Sequence, residues 1–331
     1  MTQTRSGHAV KHSSEESVKL SKLQQKKPHV WAKMQRFDEK IARGESIAII
    51  RIEYDYACNF RCTHCCIDGF RGERRLLTPA VVADISRQAD ELGLARFVIT
   101  GGEPLISPEL DAIVAAIDPQ KHYINVDTNG WFLNFEKAKH LKSIGVDRIQ
   151  LSIDSLDETE HDRFRNAPGS HRMALQSINA TIAAGLDLFI QTVVTKKRLY
   201  SDEFTGFIRY FNSRDIAVFV TFMKPVGAAE GLRDEMCGAE DFAYFDKLCG
   251  KHNIFWHLSP AYGRDLGCIA FRAMCSITPW GDVNGCPYWF KPMGNVLEEP
   301  LGAILARAMK TPPWDKHIGT CPVADKDWGP L

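Results

Sequence analysis

The chain has 331 residues, of which 44% are hydrophobic and 25% are charged, and its 41 basic side chains balance 41 acidic ones. This composition is typical of a globular protein with one large domain and a smaller one. The zero formal net charge gives no general attraction to nucleic acid or to an anionic membrane. No apolar run approaches the roughly 20 residues of a membrane-spanning helix, and the polar amino terminus lacks the apolar segment of a secretory signal. We therefore expect a cytoplasmic protein with 10 reduced cysteines and with neither nucleic acid nor a membrane as partner.

The apolar patterning divides the chain into three parts. Residues 1–47 form a polar extension that ends in a lead-in helix. Between residues 48 and 230, amphipathic helical segments separate six β-branched runs: IIRIEYD, RFVIT, YINVDT, RIQLSID, LFIQTVV and AVFVTFM. This alternation predicts parallel strands with right-handed crossovers, and six units are fewer than the eight of a closed TIM barrel. We therefore predict the α/β class, with a partial (β/α)6 TIM-type barrel followed by a small cysteine-rich domain over residues 231–331.

Three closely spaced cysteines follow the first predicted strand. Cys58, Cys62 and Cys65 have the spacing C-x3-C-x2-C and lie where such barrels build their active sites, at the carboxyl end of a strand. Three thiolates on one loop can hold three corners of an iron-sulfur cubane and leave the fourth iron to a small chelating molecule. A zinc site is the alternative if His64 or Cys66 completes a set of four ligands.

Loops at the other predicted strand ends carry further polar and glycine-rich elements. The second strand is followed by TGGEPL, the third by DTNG at residues 127–130, and the sixth runs into FMKPVGAA. Glycine permits the backbone to approach a ligand closely. Taken singly, each element has a plain structural explanation, since GGEP can be a tight turn, and Ser152 and Arg165 can be a strand-end cap and a surface charge.

Together and in this order, these elements resemble the radical S-adenosylmethionine (radical SAM) superfamily over about residues 48–225. The resemblance implies a 4Fe-4S cluster on Cys58, Cys62 and Cys65 whose open iron binds S-adenosylmethionine. It implies that Ser152 and Arg165 bind the ribose and the carboxylate, and that the sixth strand lines the adenine pocket. The GGEP element would bind the methionyl amino group through Gly101, Gly102, Glu103 and Pro104. His64 stands where the family has an aromatic residue, so it packs near the nucleoside or simply within the loop.

The chemistry implied by the resemblance is reductive cleavage of S-adenosylmethionine. A reductant such as flavodoxin or ferredoxin supplies an electron, and the resulting 5′-deoxyadenosyl radical abstracts hydrogen from a substrate. The protein contributes orientation and exclusion of water, since a primary radical attacks any nearby C–H bond.

A second cysteine set lies in the carboxy-terminal part. Cys268, Cys275, Cys286 and Cys321 surround ITPWGDVNGCP, which predicts a hairpin. This region resembles the SPASM and twitch auxiliary-cluster domains, and only four cysteines remain for it, which implies one auxiliary 4Fe-4S cluster. A four-cysteine zinc hairpin is the alternative.

For the substrate we predict a small molecule of the aminosugar, cyclitol or nucleoside type. The extension over residues 1–47 is too short for the winged-helix domain with which many peptide-modifying relatives bind leader peptides. A peptide-modifying maturase is the alternative, and a zinc-stabilised binding module without catalysis is a further one. A molybdopterin-type cyclase is not favoured, because its auxiliary cysteine spacing and its glycine-ended tail are missing from a chain that ends WGPL.

For the outcome of the reaction we predict a dehydrogenase-type oxidation, with the auxiliary cluster as electron acceptor. The alternative is a redox-neutral epimerisation in which a thiol returns a hydrogen atom to the substrate radical. Cys237 follows the sixth strand and is the candidate donor, whereas Cys249 has the pattern of a buried helical residue.

Overall fold

The computed structural model describes residues 23–259 and 266–324, so the predictions for residues 1–22 lie outside the described residues. The described residues form the strands β1 Ile49–Asp55, β2 Arg96–Gly101, β3 Tyr123–Thr128, β4 Arg148–Ser152, β5 Asp187–Val194, β6 Ala217–Phe222, β7 Ile254–Phe255, β8 Met274–Ile277 and β9 Val283–Asn284. The helices are α1 Pro28–Gln35, α2 Phe37–Ala42, α3 Pro79–Glu91, α4 Leu110–Ile117, α5 Phe135–Ser143, α6 Glu158–Arg165, α7 Ser170–Ala183, α8 Lys196–Leu199, α9 Asp202–Asn212, α10 Ala239–Cys249 and α11 Leu301–Ala308. Among these helices, none is long and apolar enough to cross a membrane.

The strands form one sheet in the order β7-β6-β5-β4-β3-β2-β1-β8-β9. From β1 to β7 each strand pairs in parallel with the one before it, so the sheet winds in a single direction. A doubly wound sheet would reverse its strand order part-way, whereas single winding is the topology of a TIM-type barrel. The predicted partial barrel and the α/β class are confirmed.

Strand β1 shows how the two faces of the sheet differ. Ile50 and Ile52 are fully buried and pack in the core with helix residues such as Ile85 of α3. Arg51 and Glu53 alternate with them and line the cleft on the inner face. Because successive side chains of a strand point to opposite faces, the charged residues of IIRIEYD mark a polar barrel interior.

The carboxy-terminal part continues the same sheet. Helix α10 connects β6 to β7, which pairs in parallel with β6, so the βα rhythm runs on past residue 230. At the other edge, β8 pairs in parallel with β1, and β9 pairs antiparallel with β8 as the predicted hairpin. The division into domains at residue 230 stays a prediction, but it does not coincide with an edge of the sheet.

The lead-in helices α1 and α2 are held to the barrel by buried lysines. The Lys33 ammonium donates to the carbonyl oxygens of Leu94 and Lys121 at 3.1 and 2.8 Å, and Lys27 donates to His122 at 3.0 Å. These carbonyl groups precede β2 and β3 in the chain. The amino-terminal helices therefore pack at the end of the barrel opposite the predicted active site.

Candidate active site

The cysteines of the predicted cluster loop line a common cleft at the carboxyl ends of the strands. The cleft has a cavity volume of about 170 Å³, and Cys58, Cys62 and Cys65 form part of its wall. Other predicted site residues line the same cleft: Gly101, Gly102, Glu103, Ser152 and Arg165. Pro104 is buried next to them and begins the short turn Pro104–Ile106.

Backbone hydrogen bonds fix the cysteine loop against its neighbours. The amides of Glu103, Thr63 and Ala228 donate to the carbonyl oxygens of Ala57, Phe164 and Cys65, at 2.9, 3.1 and 2.9 Å respectively. The loop is thereby tied to the segments that follow β2 and β6 and to the last turn of α6, which positions its side chains from three sides.

Two glycines make this close packing of loops possible. A Cβ atom on Gly102 would lie 1.9 Å from the carbonyl oxygen of Ala57, and one on Gly227 would lie 2.3 Å from that of Cys65. Any side chain at either position would displace the cysteine loop. The glycine of GGEP is therefore required here for packing between two backbones, in addition to the close approach to a ligand that the sequence predicts.

The Glu103 carboxylate joins three of the loops. It accepts hydrogen bonds from the hydroxyl of Thr128 and the amide of Asn129, both at 2.7 Å, and from the amide of Leu105 at 3.0 Å. The Asn129 side chain in turn donates to Asn59 in the cysteine loop at 2.9 Å. Burial raises the pKa of Glu103 to about 7, and the three donors oppose this rise. The side chain of GGEP thus fixes the DTNG loop in place.

Hydrogen-bond donors surround the three sulfur atoms of the loop. The amide of Phe60 lies 3.4 Å from the Cys58 sulfur, Nη2 of Arg71 lies 3.1 Å from that of Cys65, and Nη1 of Arg165 lies 3.9 Å from that of Cys62. Burial raises the pKa of Cys62 to about 11, while the Arg165 charge lowers it. Metal ligation needs the thiolate form, and donors directed at sulfur stabilise that form. The residues present therefore fit an iron-sulfur cluster.

A buried ion pair orients Arg165. Its Nε donates to Oδ2 of Asp154 at 2.6 Å, and both side chains are less than one-tenth exposed. Asp154 also accepts the amide of Val193 at 2.8 Å. The arginine is thus held at the cleft near Ser152, which ends β4 and also lines the cleft. Both residues lie where the resemblance requires them, and their roles stay predictions.

His64 and Cys66 both line the cleft beside the cysteine loop. The His64 ring stacks on Phe164 with a centroid distance of 4.3 Å, and burial lowers its pKa to about 3. Burial also raises the pKa of Cys66 well above the ordinary value. At neutral pH, His64 is a neutral ring packed against α6, and Cys66 is a thiol.

Several cleft residues were missed by the sequence analysis. Arg51 forms an ion pair with Asp127 at 3.1 Å, and Glu53 lies on the same face of β1. Tyr288 follows Cys286 and brings a phenol from the carboxy-terminal part to the cleft wall. Charged residues at alternate positions of an otherwise apolar strand could have revealed Arg51 and Glu53, because strands buried on both faces are usually continuously apolar.

The second cysteine set is only partly brought together. Cys268, Cys286 and Cys321 act electrostatically on one another, and burial with these neighbours raises the pKa of Cys268 to about 12. Cys275 is fully buried in the hydrophobic core on β8, paired with Ile50 of β1, and burial is the sole cause of its raised pKa. The prediction of four convergent cysteines is therefore corrected to three, because strand pairing turns Cys275 into the core.

The structure does not place Cys237 on the cleft. Its side chain is 4% exposed, packs in the hydrophobic core, and has a pKa that burial raises to about 12. Cys249 packs against the same core at the end of α10, as predicted. The ammonium of nearby Lys224, 5% exposed, acts on Cys237, Cys268 and Cys286 and has no hydrogen-bond partner in the part of the chain that is described.

Within residues 23–259 and 266–324, no three His, Cys, Asp or Glu side chains are arranged to hold a single metal ion. A 4Fe-4S cubane does not require its ligands to converge on one ion, since each thiolate binds a different iron.

Comparison with known proteins identifies the barrel. Residues 52–204 match the model of the Radical SAM superfamily. Residues 52–204 therefore form a radical SAM domain. Members of the superfamily are enzymes that use a 4Fe-4S cluster and S-adenosylmethionine and that need a reductant, so these predicted cofactors and the enzymatic nature of the chain are confirmed.

The curated relatives include a maturase and several cyclases, and the share of the chain that they cover varies. The mycofactocin maturase MftC of Mycobacterium ulcerans is 28% identical over 293 residues, which cover 81% of this chain and 78% of that protein. A probable GTP 3′,8-cyclase of Methanosarcina mazei is 30% identical over 191 residues, which cover 54% of this chain and 56% of that protein. The chain thus spans little more than half the length of the cyclase.

Solved structures agree with the fold. The structure of SuiB from Streptococcus suis bound to the precursor peptide SuiA superposes with a TM-score of 0.63 at 15% identity, covering 95% of this chain and 73% of that one. SuiB has also been solved with S-adenosylmethionine. At this identity the likeness shows a shared architecture.

Proposed function

We propose that the chain cleaves S-adenosylmethionine at a cluster held by Cys58, Cys62 and Cys65, and that it oxidises a peptide-type substrate. The observation that carries the proposal is the common cleft of these cysteines, Glu103 and Arg165. When bound, the cluster and S-adenosylmethionine supply the radical that removes a hydrogen atom from the substrate.

The chain's own residues bind and orient S-adenosylmethionine in this proposal. Arg165, held by Asp154, offers a guanidinium to the carboxylate of the methionyl group. Glu103 and the loop after β2 fix the amino group, and Ser152 contacts the ribose. His64 and Phe164 form a dry wall of stacked rings beside the cysteine loop, which excludes water from a reactive radical.

The second cysteine set is proposed to hold an auxiliary 4Fe-4S cluster, with Cys268, Cys286 and Cys321 as protein ligands. Their mutual proximity and the positive charge of Lys224 favour a negatively charged group at this place. An auxiliary cluster gives the substrate radical an electron acceptor, so the proposed outcome is an oxidation. Epimerisation with Cys237 as the hydrogen donor is not favoured, because the Cys237 thiol is buried and does not line the cleft.

The choice of a peptide-type substrate is supported by the maturase relative MftC, whose match covers 81% of this chain, and by the architecture shared with SuiB bound to its precursor peptide. Coverage does not separate the two classes, since a GTP 3′,8-cyclase of Moorella thermoacetica matches over 82% of this chain. The small-molecule substrate predicted from the sequence is the second candidate, favoured by the name of the cyclase relative. The short polar extension, from which that prediction came, does not by itself separate the two.

The proposal is tested by anaerobic reconstitution with iron and sulfide, followed by measurement of 5′-deoxyadenosine with dithionite as reductant. We expect the wild type to form it from S-adenosylmethionine, and the variant with Cys58, Cys62 and Cys65 all changed to Ala to form none. The matched control changes Cys66, which lies on the same loop but outside the signature, to Ala and should retain cleavage. Cleavage by the triple variant would refute the cluster assignment.

The substrate class is tested by adding an extract of cells of the organism that encodes this chain. A peptide-type substrate predicts that extract raises 5′-deoxyadenosine formation above the rate without substrate, and that prior protease treatment abolishes this rise. A product lighter by two hydrogens supports oxidation. A rise that survives protease treatment would favour the small-molecule candidate instead.

A further inference from the structure

One carboxylate oxygen on the cleft wall has no hydrogen-bond partner among the described residues. Glu53 on β1 is 3% exposed and lines the cleft, and its Oε2 accepts a hydrogen bond from the Tyr56 hydroxyl at 2.5 Å. Its other oxygen, Oε1, is buried and has no hydrogen-bond partner among the described residues. An unpaired buried carboxylate oxygen is expensive to maintain, roughly 1–3 kcal/mol or more, which indicates a group that the cleft is built to bind.

Two further buried acceptors lie beside Glu53 on the same face of the sheet. Ser276 of β8 pairs in register with Arg51 of β1, and Asn284 of β9 pairs with Ser276, so their side chains share the inner face with Glu53. Both are at most 4% exposed. The Ser276 hydroxyl makes no well-aligned hydrogen bond within the described ranges but is near enough to Glu53 to lower the pKa of that carboxyl, and Oδ1 of Asn284 lacks a partner there. We call Glu53, Ser276 and Asn284 the acceptor cluster.

Burial raises the pKa of both carboxyl groups on this face, Glu53 and Asp127, and the charge of Arg51 opposes the rise in each. Arg51 is the nearest cation, and it already forms an ion pair with Asp127 at 3.1 Å. The two other cleft arginines act elsewhere, since Arg165 pairs with Asp154 and Arg71 pairs with Asp68. On the inner face of β1 and β3 there remain two carboxylates for one guanidinium. A ligand that both donates hydrogen bonds and carries positive charge would satisfy this arrangement.

We propose that the acceptor cluster is a substrate subsite that binds an alkylammonium group, with Glu53 as the residue that determines this specificity. The inference rests on the proposed function in one respect: the ligand that binds here is taken to be the substrate of the same cleft. It applies equally to an amine of a peptide and to an amine of a small molecule.

The location agrees with such a role. Glu53 precedes the cysteine loop by a short stretch of β1, so the subsite lies deeper in the barrel than the cluster-binding face. Two of its three members come from β8 and β9, which follow the segment that matches the Radical SAM family model. Substrate selectivity in this chain thus depends on residues that the carboxy-terminal part contributes.

The test measures binding of n-butylamine and its neutral isostere n-butanol to the reconstituted holoenzyme with S-adenosylmethionine, by ligand-observed NMR at neutral pH. We expect the wild type to bind n-butylammonium about tenfold or more tightly than n-butanol, because a charged hydrogen bond is the stronger one. Glu53→Gln should abolish this preference by weakening amine binding. Glu298→Gln, at an exposed position, is the control and should leave both affinities unchanged.

Equal affinity of the wild type for amine and alcohol would overturn the inference even if Glu53→Gln failed to fold. Undiminished amine binding by a folded Glu53→Gln variant would also overturn it. Formation of 5′-deoxyadenosine by the same wild-type sample is recorded separately. A wild type that prefers the amine but does not cleave S-adenosylmethionine would therefore contradict the proposed function and leave the ammonium subsite standing.

Discussion

Cys275 is a fully buried cysteine of the carboxy-terminal part and Cys286 a partly buried one, and the two have different surroundings. Cys286 has two other thiols as electrostatic neighbours, whereas Cys275 is packed among apolar residues in register with Ile50. A thiol that points into an apolar core behaves as a small hydrophobic side chain. The two positions therefore offer a matched pair for testing which cysteines ligate the auxiliary cluster.

We expect Cys275→Ala to retain the iron of both clusters and to lower the free energy of unfolding by about 1 kcal/mol, because it removes one buried sulfur atom. Cys286→Ala should instead lose about four irons per chain, the content of one 4Fe-4S cluster. Iron and sulfide analysis after anaerobic reconstitution, together with denaturant unfolding, measures both effects. Equal loss of iron in the two variants would restore Cys275 as a ligand.

Among single residues, close spacing in the sequence predicts which cysteines lie together in the structure. Cys58, Cys62 and Cys65 lie on one loop, so their sequence pattern alone predicts that they share a cleft. The second set is spread over several segments, and its geometry depends on which face of β8 turns inward. That face is decided by pairing with β1, which no local pattern around Cys275 encodes.

The loops at the strand ends form a connected element, and Glu103 is the residue on which the connection depends. Its carboxylate accepts three hydrogen bonds from two loops, and Asn129 extends the connection to the cysteine loop. A glutamine at this position would present an amide N–H to one of these donors. The loop after β3 would then move relative to the loop after β2.

We therefore expect Glu103→Gln to weaken the affinity for S-adenosylmethionine about tenfold, since a broken buried hydrogen bond of this kind is worth roughly 1–3 kcal/mol. Glu136→Gln is the control, because this carboxylate at the start of α5 is 78% exposed and pairs with the exposed Lys139. Its affinity should stay within twofold of the wild type, as roughly expected for a surface polar contact. Equilibrium binding to the reconstituted protein measures both, and an unchanged Glu103→Gln affinity would show that the loop connection is dispensable.

The elements that the sequence predicts well are those with a strong local pattern. The six barrel strands alternate with amphipathic helices, and their apolar periodicity is enough to place them. The short strands β7 and β8 lack such a signal. Their place in the sheet follows from contacts with β6 and with β1, and β1 is more than two hundred residues from β8 in the chain.

At the scale of the whole molecule, β8 closes the edge of β1. The amides of Ile47 and Ile49 donate to the carbonyl oxygens of Arg272 and Ala273 at 2.7 and 2.9 Å, and the Ser46 hydroxyl donates to Phe271 at 2.6 Å. The strand that leads into the cysteine loop is thus supported on one side by β2 and on the other by the carboxy-terminal part. Without β8, the apolar strand β1 would be an open edge.

We therefore expect a chain cut after residue 230, the predicted domain boundary, to be poorly soluble and to bind little iron at Cys58, Cys62 and Cys65. Co-expression of residues 231–331 as a separate chain is the control, and it should restore solubility and iron binding because it supplies β8 again. Soluble yield, size-exclusion profile and iron content after reconstitution measure the outcome. A soluble monomer of residues 1–230 that holds about four irons and cleaves S-adenosylmethionine would show that the barrel folds without the carboxy-terminal strands, and that the boundary at residue 230 separates two independent domains.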